Sequence, residues 1–186
     1  MTITKTSPAL LAAVALLAIA ALAAGCGSDD NTSASGNSTD AAFITDMTAH
    51  HQGAIDMAEV AQTRAEQPEV RKLADDIISA QKGEISVMGR IGDDMRAMGM
   101  HEGGHMGMGR SEMGMDMDMP MLRRAKPFDR AFIDQMVPHH QGAIAMARRE
   151  LAKGSQPALR AMAQDMIDAQ TEEMAQMRKW RKAWHR

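Results

Sequence analysis

Cysteine and aromatic residues are scarce in this chain, and neither sign of charge predominates. Its 186 residues include one cysteine, two tryptophans, three phenylalanines and no tyrosine, with a formal net charge of −3. A single thiol cannot close a disulfide within the chain or build a thiolate metal cluster, so stability has to come from packing. With only 3% aromatics the core is left to Ala, Ile, Leu and Met, a composition that favours helices over sheets in one modest domain. The small net charge offers no basic face for nucleic acid. Long apolar runs are missing too, apart from residues 9–24, which are too few to span a bilayer comfortably.

That run follows Lys5 and ends at Gly25 and Cys26, the layout of a signal peptide. The string Leu22-Ala23-Ala24-Gly25-Cys26 resembles a bacterial lipobox, with Ala23 where a larger aliphatic residue is usual. The expectation is a signal peptide over 1–25, lipidation at Cys26 and attachment to the extracytoplasmic side of the cell membrane. Residues 26–40, polar and rich in Gly and Ser, read as a flexible tether, and 41–186 as the folded domain.

What is abundant is methionine, with 20 residues, and internal repetition. Shifting the chain by 89 positions aligns Phe43–Met88 with Phe132–Met177 without a gap, and 21 of 46 positions are identical. The shared centre is His50-His51-Gln52-Gly53-Ala54-Ile55 and His139-His140-Gln141-Gly142-Ala143-Ile144. A duplicated unit follows.

Within each copy apolar residues recur at helical spacing and a proline, Pro68 or Pro157, suits the first turn of a second helix. Each copy is therefore a helical hairpin (41–97 and 127–186), and two hairpins dock most simply as an all-α four-helix bundle with a pseudo-two-fold axis. Asp40 is the expected N-cap of the first helix, and Pro138 marks either the start of the third helix or a kink in it. Trp180 and Trp184 continue the apolar stripe of the last helix. Antiparallel pairing brings His50 and His51 level with Gln81 and Glu84, and Met47 near Met88. The second copy does the same with His139, His140, Gln170, Glu173, Met136 and Met177. Neutral imidazoles one helical turn from thioethers can hold a soft metal ion, with copper(I) preferred over zinc. Alternatively, Glu84 and Glu173 bond the histidines and the methionines simply fill the core. A site built on histidine should weaken as pH falls through about 6.5, because the ligand must be neutral.

Between the hairpins, residues 98–126 contain a stretch, 98–121, with nine methionines, six glycines, His101 and His105. It shows no sustained apolar stripe and reads as a mobile loop. Met-x-Met spacings let adjacent sulfurs, including Met106, Met108, Met115, Met117 and Met119, converge on one soft ion with His101 or His105. This loop is expected to act as a copper site separate from the one in the bundle.

The segment Met136-Val137-Pro138-His139-His140-Gln141-Gly142-Ala143-Ile144-Ala145-Met146-Ala147 resembles the hallmark of the bacterial domain of unknown function 305 family, and Met47–Ala58 is similar without the proline. The resemblance implies a ferritin-like bundle, often exported or lipid-anchored, with some members implicated in copper binding. It marks Met136, His139, His140 and Met146, with Met47, His50, His51 and Met57 as repeat partners. The Glu-x-x-His signature of ferritin-like di-iron proteins is absent, since Val87 and Gln176 stand where histidine is needed. The combined expectation is a non-enzymatic envelope lipoprotein that sequesters copper, Cu(I) or Cu(II), or hands it to envelope copper-handling proteins. The alternative is a structural or protein-interaction lipoprotein whose His-Glu pairs serve packing.

Overall fold

A computed structural model describes residues 36–100 and 104–184. Its elements are α1 (Ser38–Arg64), α2 (Pro68–Ala97), the short α3 (Met119–Arg124), α4 (Phe128–Lys153) and α5 (Pro157–Ala183). The long helices α1/α2 and α4/α5 form the two expected hairpins, and α1 packs antiparallel to α4 to join them into a bundle. Cys26 and most of the proposed tether lie outside the described residues.

Local signals set the helix starts. Pro68 and Pro157 occupy the first turns of α2 and α5, where a missing N–H costs nothing. Asn37, not Asp40, caps α1: its side chain accepts from the Thr39 and Asp40 amides, while the Asp40 carboxylate accepts from the Asn37 amide in a capping box. The helix thus begins inside the stretch assigned to the tether. Helix α4 starts ten residues before Pro138 and runs through it.

Besides closing the capping box of its own helix, Asp40 is fully buried and reaches the other hairpin. It accepts hydrogen bonds from the amides of Ser155 (3.0 Å) and Gln156 (2.9 Å) at the entry to α5. Asp129, its equivalent in the second repeat, accepts from the amides of Glu66 (3.0 Å) and Gln67 (2.8 Å) at the entry to α2. Each hairpin therefore supplies the carboxylate that satisfies orphan N–H groups of the other.

The core falls into two clusters. One holds Met57, Val70, Leu73, Ile77, Phe128, Phe132, Met136 and Met177, with the stacked Trp180 and Trp184 packed against it. The other holds Phe43, Met47, Met88, Met95, Met146, Leu159 and Met166. Phe43, Met47 and Met57, Phe132 show that the two histidine motifs of α1 and α4 lie between these clusters, at mid-bundle.

The connecting segment is not the free loop its glycines suggest. Met106 and Met113 are buried in the second cluster, and Leu122 of α3 is buried in the first. The segment is tied down at repeat-equivalent positions of α1 and α4. Asp46 accepts from the Met106 amide (2.6 Å) and pairs with His105 (2.5 Å), while Gln135 accepts from the Asp118 amide (2.9 Å). The thioethers overcome the cost of ordering a glycine-rich chain by burying apolar surface against the bundle.

Candidate metal centre

The four histidines of the two repeat motifs, His50, His51, His139 and His140, are fully buried. The first of each pair meets its counterpart: the His50 and His139 rings lie 3.7 Å apart, tilted by 37°, and His50 Nε2 donates to the His139 carbonyl at 3.0 Å. The second of each pair turns to its own hairpin. His51 Nε2 stands 2.7 Å from Glu84 Oε2, off the ideal hydrogen-bond line, and His140 Nε2 bonds Glu173 Oε2 at 2.6 Å. Glu84 and Glu173 are about a quarter exposed (26% and 23%), so each carboxylate links a buried ring to solvent.

These contacts decide which ring nitrogens remain available. With Nε2 directed at an acceptor, the neutral forms of His50, His51 and His140 present Nδ1 as a lone pair, and none of these Nδ1 atoms has a hydrogen-bond partner. His139 has no partner on either ring nitrogen. The oxygens of Gln81 and Gln170, equivalent positions on α2 and α5, are likewise unpartnered and buried.

Burial first, and then the neighbouring His51 and His140, push His50 down from 6.5 to about 3, against the opposing pull of the His139 and Met113 carbonyls. His139 is held well below 6.5 by burial and by His50, His140 and His51. In the folded protein these two rings therefore stay neutral far below pH 6.5. The expected loss of ligand near that pH is corrected accordingly, because it assumed an ordinary imidazole.

Met47, Met88, Met136 and Met177 are all fully buried. Met47 and Met88 share one cluster and Met136 and Met177 the other, so thioethers flank the histidine layer above and below. Among the described residues no three His, Cys, Asp or Glu side chains converge as a metal-holding group. A site of nitrogen and oxygen ligands alone is therefore not preformed among the described residues.

The methionines of the connecting segment divide between the two core clusters. Met106, Met108, Met113 and Met115 pack on one core cluster, and Met117 and Met119 on the other. The segment thus crosses the histidine layer. It does so at the glycines of the two motifs: a Cβ at Gly142 would lie 1.8 Å from the Met113 carbonyl oxygen, and one at Gly53 would lie 2.7 Å from Met117 Cε. His105 is exposed but held by Asp46, and the hydrogen bond to that carboxylate raises its pKa above 6.5. His101 lies outside the described residues.

Sequence reasoning missed Gly53, Gly142, Met113 and the Asp46 and Gln135 ties. The glycines carried a signal: a mid-helix glycine costs about 1 kcal/mol relative to alanine and asks for a reason. The other contacts join residues far apart in the chain and leave no local trace.

Residues 40–181 match the family described as Domain of unknown function (DUF305). Among solved structures, CopM in its Cu(I)-bound form is 37% identical, with a TM-score of 0.66 over 79% of this chain and 98% of that one. CopM in its Cu(II)-bound form is 39% identical, with a TM-score of 0.68 over 78% and 97%. A DUF305 protein from Streptomyces coelicolor is 27% identical, with a TM-score of 0.65 over 75% and 88%. No curated protein matches the sequence.

Proposed function

This chain belongs to the DUF305 family, and from that premise we propose that it is a non-enzymatic, copper-binding lipoprotein of the cell envelope. Its role in this reading is to sequester copper or to pass it to another envelope protein, anchored through a lipid on Cys26. The observation that carries the reading is the layer of four buried histidines between methionine-rich clusters, with unpartnered ring nitrogens on every one. Unsatisfied polar atoms in a core are costly, and a bound ion relieves that cost. CopM, which shares the fold, is known in Cu(I)-, Cu(II)- and Ag-bound forms, which supports the choice of metal.

His50, His51, His139 and His140 would supply nitrogen, and the adjacent methionines sulfur. Glu84 and Glu173 would orient His51 and His140 and fix their tautomers, as carboxylates behind metal-bound histidines do. The mixed donor set favours Cu(I) over harder divalent ions.

An anaerobic titration of Cu(I) against a coloured chelator tests this. The protein should compete at micromolar concentration or better, and its melting midpoint should rise with the metal. Failure to compete would overturn the reading. It would favour the second one, in which the His51–Glu84 and His140–Glu173 pairs fix the bundle's register and the protein acts as an interaction module.

A further inference from the structure

The two halves of the histidine layer are related by the repeat, but the connecting segment that crosses them is not. Over Gly142 it lays down backbone, the Met113 carbonyl and the Gly114 amide. On that half, His50 has Nε2 committed to the His139 carbonyl, and the Met113 carbonyl lies beside its ring. Over Gly53 it lays down a side chain. A Cβ placed there would stand 3.1 Å from Met117 Sδ and 3.3 Å from His139 Nε2, so a thioether and an imidazole nitrogen converge on the same face of α1. His139 is fully buried, and although the His50 carbonyl lies beside its ring, neither ring nitrogen meets hydrogen-bond geometry with any protein group.

We propose that His139 and Met117 form one mixed imidazole–thioether site for a soft monovalent cation, Cu(I) or Ag(I), closed across the junction of connecting segment and bundle, and that it fills before His50. The inference rests on the copper reading above and makes it unequal across the repeat. A neutral, buried imidazole that no protein donor engages has a lone pair to offer a cation, and a sulfur beside it selects a soft ion over zinc or magnesium. The anchors at Asp46 and Gln135 hold the segment in place, so Met117 is presented with little ordering left to do. Gly53 makes this possible: its absent side chain admits the thioether, at a helix-propensity cost of about 1 kcal/mol relative to alanine.

The test uses the full chain and Ag(I), with Cu(I) under anaerobic conditions as the second probe. Met117→Leu keeps the apolar bulk and removes the sulfur, and Met162→Leu, at a half-buried methionine of α5 packed on the second cluster, is the control. The expected result is a loss of tenfold or more in affinity for the first equivalent in Met117→Leu, none in Met162→Leu, and unchanged metal-free melting in both. In the unsubstituted protein, the first equivalent of Ag(I) should shift the ring ¹⁵N resonances of His139 before those of His50. Equal loss in the two variants, no loss in Met117→Leu, or simultaneous shifts of His50 and His139 would overturn the composite site while leaving copper binding intact. An unsubstituted protein that binds neither ion would instead remove the functional reading on which the site depends.

Discussion

Gly53 and Gly142 hold equivalent places in α1 and α4, yet the atoms above them differ in kind. Above Gly53 lies the flexible end of Met117, which can swing away; above Gly142 lies the Met113 backbone, which cannot. Gly53→Ala should therefore leave metal-free stability unchanged or slightly higher, whereas Gly142→Ala should cost about 1–3 kcal/mol as an overpacked contact, measured by urea denaturation. A second asymmetry lies at the foot of α4, where the second repeat has Glu150 and Gly154 in place of Ala61 and Ala65. A Cβ at Gly154 would collide with the Glu150 carboxyl, so the two residues belong together. Burial and the adjacent Asp40 push Glu150 up from 4.5 to about 8. Burial alone would raise Asp40 too, but the neighbouring Glu150 carboxyl and the amides of Gln156, Ser155 and Asn37 hold it below the usual range. The unfolded chain ionises Glu150 above 4.5 while the native state keeps its proton up to about 8, so this group costs stability increasingly across that window. Glu150→Gln should remove the cost, with a stability gain over the parent that is larger at pH 8 than at pH 5.

At the level of elements, the entries to α2 and α5 depend on carboxylates from α4 and α1. Asp129→Ala leaves the Glu66 and Gln67 amides without their acceptor and should cost about 1–3 kcal/mol. In a domain of this size that is a fall of about 2–4 °C in melting midpoint per kcal/mol, readable by circular dichroism. The helices and their tight turns were readable in the sequence because period, proline placement and polar breaks are local. The register of His51 with Glu84 and of His140 with Glu173 was readable because a hairpin turn fixes it. The cross-hairpin role of Asp40 was not, since it spans more than a hundred residues, although an aspartate at the same place in both repeats was a usable sign. The fate of the connecting segment was hidden for another reason. Composition reports the freedom of a glycine-rich chain in isolation, and the ties at Asp46 and Gln135 that remove that freedom come from other helices.

For the molecule as a whole, the buried histidines set a lower pH limit. His50 is depressed to about 3 and His139 well below 6.5, so the unfolded state takes up protons below 6.5 that the native state refuses. Stability is then full above 6.5 and is lost as pH falls toward the folded values, by about 1.4 kcal/mol per pH unit for each ring. Glu150 runs the other way over this window, so melting of the metal-free Glu150→Gln variant at pH 7, 6 and 5 is the test: it should show a progressive fall, and a flat profile there would contradict the neutral, buried state of these rings. The reciprocal carboxylates of Asp40 and Asp129 have a further consequence for how such a molecule comes to exist. Neither hairpin is self-sufficient, because each lacks the acceptor for its own second helix and holds only half of the histidine layer. Each also carries the acceptor that its own twin would need. Two copies of a single hairpin can therefore complete one another as a symmetric pair, and joining them in one gene frees the halves to diverge into unequal partners.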